Sequence, residues 1–189
     1  SATQVGRVSR QAARATGLLA GTPIVSGGGD QQCAGIGAGA VLPGICSITL
    51  GTAGVVFCHT EKPVACSGTG ITCCAHAVPN RWNVEGLQHS AGDSVKWART
   101  NFAGAEDDAP AFLRKVERVP PGSGGLLFFP YLAGSGAPRW MAEATGAFIG
   151  LKHAHDPAAL LRAVFEGVAM ENRAILDSFE ALKIPVREI

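Results

Sequence analysis

The chain has 189 residues, 47% apolar and 16% charged, with 16 Lys and Arg against 15 Asp and Glu. That composition belongs to a globular chain, and a formal charge of +1 without a basic cluster leaves no electrostatic footprint for nucleic acid or an anionic membrane. No apolar run is long enough to span a bilayer and SATQVGRVSRQAARATG has no signal-peptide core, so a cytoplasmic protein is expected.

SRQAARATGL reads as a short helix started by Ser9 and stopped by Gly17, and GTPIVSGGG as a brief strand that runs out in glycines. Asp30 therefore stands at a strand end. The Ala- and Gly-rich stretch from Gln31 to Ala40 suits a helix packed close against a neighbour, although its glycines oppose helix formation. In GICSITLGTAGVVFC two β-rich runs, Ile45 to Leu50 and Val55 to Cys58, flank Gly51-Thr52-Ala53-Gly54, the pattern of a tight hairpin. RWNVEGLQH alternates as a strand, and SAGDSVKWARTNF follows as an amphipathic helix with Val95 and Trp97 among its apolar positions. AGAEDDAPAFLRKVERVPPGSGG gives a short charged helix, favoured at its start by Glu106-Asp107-Asp108, and then a Pro/Gly-rich loop. LLFFPYL is a buried strand broken by Pro130, and the loop from Ala133 to Gly146 has the length of a functional one. The clearest helix carries Asp156 as N-cap, Pro157 at its first position and apolar residues at helical spacing from Leu160 to Leu182, with Arg162 and Glu166 paired along one face. Strands mixed with helices indicate an α/β class.

The six cysteines contain no C-x-x-C pair and read as reduced, mostly buried thiols. His153 and His155 have no ligand-type neighbour except Asp156, which argues against zinc. Trp82, Trp97 and Trp140 are expected to serve core or interface packing. Two glycine-rich sites allow more than one reading. The Gly51–Gly54 turn exposes backbone N–H groups and a hydroxyl as phosphate oxygens require, but hairpins also use glycine merely for positive φ. In SGGGD the glycines can serve close packing while Asp30 caps the next helix. Neither site matches a Walker A loop, and GAGA lacks the dinucleotide fingerprint.

The order of the pieces separates these readings. GGGD, the small-residue helix, SITLGTAG, HAVPNRW, SAGDSVKW, FFPYLAGSGAP, GAFIGL and RAVFEGVA, running from about Val5 to Ile184, together resemble the FGGY carbohydrate kinases, most closely the xylulokinases. The resemblance implies an incomplete actin-like ATPase, ribonuclease H-like fold. Residues 1–43 would end the first, sugar-binding domain, and residues 44–189 would begin the second, ATP-binding one. It identifies Asp30 with the catalytic base, Gly51, Thr52 and Gly54 with the ATP phosphate-binding hairpin, and Gly29 and Gln31 with sugar-proximal positions. ATP and Mg²⁺ are the implied cofactors. The implied acceptor is D-xylulose, with another ketose, a polyol or gluconate, or a non-catalytic actin-like module, as alternatives. The family's N-terminal D-x-G-T motif and its C-terminal Gly-Gly region are not in this sequence, so a segment of a longer protein is expected, and the resemblance implies a homodimer of that full-length protein. LAGSGAPRWMA also departs from the family's LSGERTPHWDP, and Ala53 stands where Ser is frequent.

Overall fold

The fold is described by a computed structural model covering residues 2–104 and 108–189; Glu106 and Asp107 lie outside the described residues. β1 (Gln4–Arg7) and β2 (Pro23–Val25) form an antiparallel ribbon around α1 (Arg10–Thr16). As expected, Ser9 starts α1 by accepting the Ala12 N–H at 3.1 Å, and Gly17 ends it at φ 78°. α2 (Asp30–Gly37) follows. Its glycines are poor for helix propensity but good for docking, since a Cβ on Gly35 would stand 2.7 Å from the Phe57 ring.

The central sheet is antiparallel, in the order β3 (Cys46–Leu50), β4 (Gly54–Thr60), β6 (Trp82–Gln88), β5 (Thr72–Ala75). Side chains alternate across it. Phe57 and Glu85 meet α2, whereas Val56, Cys58 and Val84 join the core built on α5 (Pro157–Ala181) through Ile175 and Phe179. Each fully buried side chain of that size contributes roughly 1.5–3 kcal/mol. Asp156 caps α5 by accepting the Ala159 N–H at 2.9 Å, with Pro157 where its missing N–H costs nothing. A second core lies among α3 (Gly92–Phe102), α4 (Ala109–Arg118), α5 and the hairpin of β7 (Leu127–Phe129) and β8 (Ala147–Ile149). There Trp97 stacks on Phe128 at 6.0 Å and meets Phe102 edge-on at 5.3 Å. Asp108 caps α4.

One expectation needs correcting. All six thiols are free, but only Cys46 and Cys58 are buried; Cys33 is exposed and Cys66, Cys73 and Cys74 are half-buried. The reason is position: α2 turns its Gly35 side to the sheet, and β5 is an edge strand.

Glu166 joins the loop before β7 to α5. Its carboxylate accepts the Gly122 N–H at 2.9 Å, the Ser123 hydroxyl at 2.8 Å and Arg162 Nε at 2.8 Å. Burial pushes this carboxyl up, but Arg162, the Gly122 N–H and the Ser123 hydroxyl together outweigh burial and hold it below the usual glutamate range. A folded-state value below the unfolded one gives stability that is present above the ordinary range and lost as pH falls through the depressed value. Glu166→Gln is therefore expected to cost roughly 1–3 kcal/mol at neutral pH, with the deficit against wild type closing in acid. Urea unfolding of both proteins across that range measures it.

Candidate functional site

Asp30 is the first residue of α2, and the cap position belongs to Gly29, whose backbone is extended at ψ 148°. Asp30 is exposed; one carboxylate oxygen accepts the neighbouring Gln31 N–H at 2.8 Å, and the other has no hydrogen-bond partner among the described residues. The capping reading thus accounts for little of this acid. Beside Gly29 lies the side-chain amide of Gln32, which a Cβ on Gly29 would strike. Gln31 is half-buried, and its Nε2 has no partner among the described residues.

The turn between β3 and β4 is polarised by what lies beneath it. The Gly51 carbonyl accepts the Gly92 N–H at 2.8 Å, and the Thr52 carbonyl accepts those of Ala91 at 3.0 Å and Asp93 at 3.2 Å. These are the leading N–H groups of α3, so the turn's carbonyls face into the protein. Gly51's own N–H is committed to Ala53 O at 2.9 Å. The N–H groups of Thr52 and Ala53 and the Thr52 hydroxyl have no partner among the described residues, and Thr52 is exposed. The turn presents donors outward, as an anion site requires.

Positive φ does not explain the glycines, because neither Gly51 nor Gly54 has one. Packing explains Gly54, where a Cβ would stand 3.0 Å from Gln88 Oε1 and 3.1 Å from Ala91 Cβ. It does not explain Gly51, whose Cβ would meet nothing nearer than Ala53 O at 3.7 Å. The space beside Gly51 is open.

A cavity of about 170 Å³ is lined by Gln31, next to Asp30, by Val55, next to the turn, and by Thr72, Glu85, Leu87 and Trp140. Glu85 accepts Asn83 Nδ2 at 3.4 Å and Gln32 Nε2 at 3.5 Å, so β6 is tied to the first turn of α2. Burial and then the Asp30 charge push the Glu85 carboxyl up. Of the core and interface roles expected of Trp140, the core one does not hold. Trp140 is 48% exposed, and its Nε1–H donates to Gly70 O at 2.6 Å while the ring meets His89 edge-on. The loop that carries it is anchored by Tyr131, whose hydroxyl donates to the buried Glu171 at 2.6 Å; burial and Glu171 push that phenol up to about 12. Glu85 is the residue that the sequence reading missed here. Glu85 was legible only as a charge at an inward-facing strand position. A larger cavity, of about 590 Å³, lies away from this site between Phe102, Lys115, Asp156 and Leu161. Among the described residues no three His, Cys, Asp or Glu side chains gather as a metal cluster.

The sequence profile of the FGGY family of carbohydrate kinases, C-terminal domain, matches residues 46–189. A gluconokinase of Bacillus licheniformis is 35% identical over 156 residues, which are 78% of this chain and 30% of that protein. A xylulose kinase of Escherichia coli K12 is 33% identical over 163 residues, 86% of this chain and 33% of that protein. The crystal structure of xylulose kinase from Rhodospirillum rubrum matches 98% of this chain and 37% of its own, with a TM-score of 0.88 at 26% identity. The chain thus spans about a third of the length of the curated relatives it matches.

The two glycines in contact across the turn and α3 should respond differently to substitution. A side chain on Gly92 would strike the Gly51 carbonyl, so Gly92→Val is expected to destabilise by about 1–3 kcal/mol. Gly51→Ala has room and should stay within about 0.5 kcal/mol of wild type. Equilibrium denaturation of the two variants distinguishes them.

Proposed function

Because the chain belongs to the FGGY family of carbohydrate kinases, we propose that it is part of an enzyme that transfers the γ-phosphoryl group of ATP to a terminal hydroxyl of a ketose, with D-xylulose as acceptor and D-xylulose 5-phosphate as product. The fold is the actin-like, ribonuclease H-like α/β fold of these kinases, represented in part. Residues 1–43 are assigned to the end of a sugar-binding domain, and residues 44–189 to the first part of an ATP-binding one. One observation carries this reading: the turn of β3–β4 presents unpartnered donors outward, and the helix that begins at the exposed Asp30 lines, through Gln31, the same cavity as Val55 of the strand leaving that turn.

In that arrangement Asp30 accepts the proton of the attacking hydroxyl. Phosphoryl transfer demands mainly position and charge stabilisation, so a weakly basic carboxylate held by a helix end is adequate. The amides of Thr52 and Ala53, with the Thr52 hydroxyl, donate to phosphate oxygens, and the open flank of Gly51 lets them approach. Gln31, whose Nε2 has no partner among the described residues, donates to the acceptor in this reading. Bound Mg²⁺ supplies neutralisation of the phosphate charge. The residues fit an ion held chiefly by phosphate and water, with at most the Asp30 carboxylate from this chain, since no protein cage is built among the described residues.

Similarity to a gluconokinase at 35% identity favours gluconate as the second acceptor to test. Coupled ADP release by the full-length protein, assayed with D-xylulose, other ketoses, polyols and gluconate, identifies the acceptor. Asp30→Asn is expected to lower sugar-dependent turnover by about 10²–10⁴-fold while MgATP affinity is kept. Turnover retained by that variant would remove Asp30 from the chemistry.

A further inference from the structure

Cys46 and Cys58 occupy opposed positions on β3 and β4, and among the paired strands theirs is the register that sets cysteine against cysteine; Cys73 faces Val84 and Cys74 faces Asn83. The backbone bonds define the kind of pair. Cys46 N–H donates away from β4, to Glu188 O at 2.9 Å, while the neighbouring His59 N–H donates to Ile45 O at 3.2 Å. Cys46 and Cys58 are therefore a non-hydrogen-bonded pair, the kind whose Cα atoms approach to about 4.5 Å. A disulfide accepts Cα separations of about 4.4–6.8 Å. We infer that this pair is a modification site, at which the two thiols close into an intramolecular disulfide when the protein meets hydrogen peroxide.

A buried thiol among apolar groups is ordinarily inert. Here each thiol has the other as its neighbour, and their interaction pushes Cys46 up and Cys58 down, which makes Cys58 the more readily ionised of the two. The cover over the pair is also thin. Cys58 Sγ lies 3.8 Å from Pro185 O. The segment after Ile184 is held to the sheet by the Glu188 carbonyl bond to Cys46, the Arg187 N–H bond to Gly44 O at 2.9 Å and the bridge from Ile45 to Glu188, and Pro185 and Arg187 are exposed. A cavity of about 340 Å³, lined by His59, Ile184 and Pro185, leads to this cover and admits a molecule the size of peroxide.

The chemistry balances. The Cys58 thiolate attacks one peroxide oxygen, the O–O bond breaks, and the departing hydroxide takes a proton to become water, leaving a sulfenic acid. The Cys46 sulfur then attacks Cys58 Sγ; the S–S bond forms, the S–O bond breaks, and the hydroxyl leaves with the Cys46 proton as a second water. Two thiols are oxidised and one peroxide is reduced. The cross-link joins the strands that lead to the Gly51–Gly54 turn, at the far end of the hairpin from it.

The test is peroxide treatment of the native full-length protein, alkylation of the remaining thiols, and non-reducing peptide mapping by mass spectrometry. The expected product is a single cross-linked peptide pair holding Cys46 and Cys58, lighter by two hydrogens and released by dithiothreitol. In Cys46→Ser, Cys58 should stop at the sulfenic acid and be trapped by dimedone. If wild-type Cys46 and Cys58 stay fully alkylatable while exposed Cys33 is oxidised, or if Cys58 pairs with a different cysteine, the inference is overturned. Because the wild-type result decides, a folding defect in the variant does not blur the outcome.

Discussion

The site depends on three backbone hydrogen bonds beneath a turn. The N–H groups of Ala91, Gly92 and Asp93 at the head of α3 hold the carbonyls of Gly51 and Thr52. A helix leaves its first N–H groups without intrahelical partners, and a tight turn leaves carbonyls to be satisfied. Here each need meets the other. The consequence is electrostatic, because the turn's acceptors are consumed inside and its remaining donors, on Thr52 and Ala53, point outward. Close approach is the condition for this arrangement, and Gly92 permits it.

The second half of the site is placed by packing from the other face of the sheet. α2 can rest on Phe57 because Gly35 has no side chain, and the Gln32–Glu85 bond fixes its first turn over β6. Gln31, next to Asp30, is thereby delivered to the cavity that Val55 of the strand leaving the turn also lines. α5 secures the opposite face through Ile175 and Phe179, and Tyr131 and Glu166 pin neighbouring loops to it. The rigid parts of the molecule thus lie behind the site, and its open parts lie in front.

What was legible in the sequence was whatever is encoded locally. Ser9 and Gly17 delimit α1, Asp156 and Pro157 open α5, and the glycine-bounded run 45–58 folds as a hairpin, because caps and turns depend on a few adjacent residues. The family resemblance rested on the order of such pieces, and the profile match over 46–189 agrees with it. Strands β5 and β8 carried no signal, since TCCA and AFI are short and owe their extension to pairing with β6 and β7. Burial of the cysteines was overstated for a related reason: whether a thiol is covered depends on which strand is at the edge. The cavity was the least legible feature. Gln31, Glu85 and Trp140 come together only through long-range contacts, and the outward amides of Thr52 and Ala53 follow from where α3 returns in space.

The most direct test of the account is a titration of the chain with MgATP followed by amide ¹H–¹⁵N NMR. The account predicts that the Thr52 and Ala53 amides move first and furthest while the Gly51 amide, already bonded to Ala53 O, moves little. Shifts confined to the residues around Phe102, Lys115 and Leu161, with Thr52 and Ala53 unmoved, would contradict it.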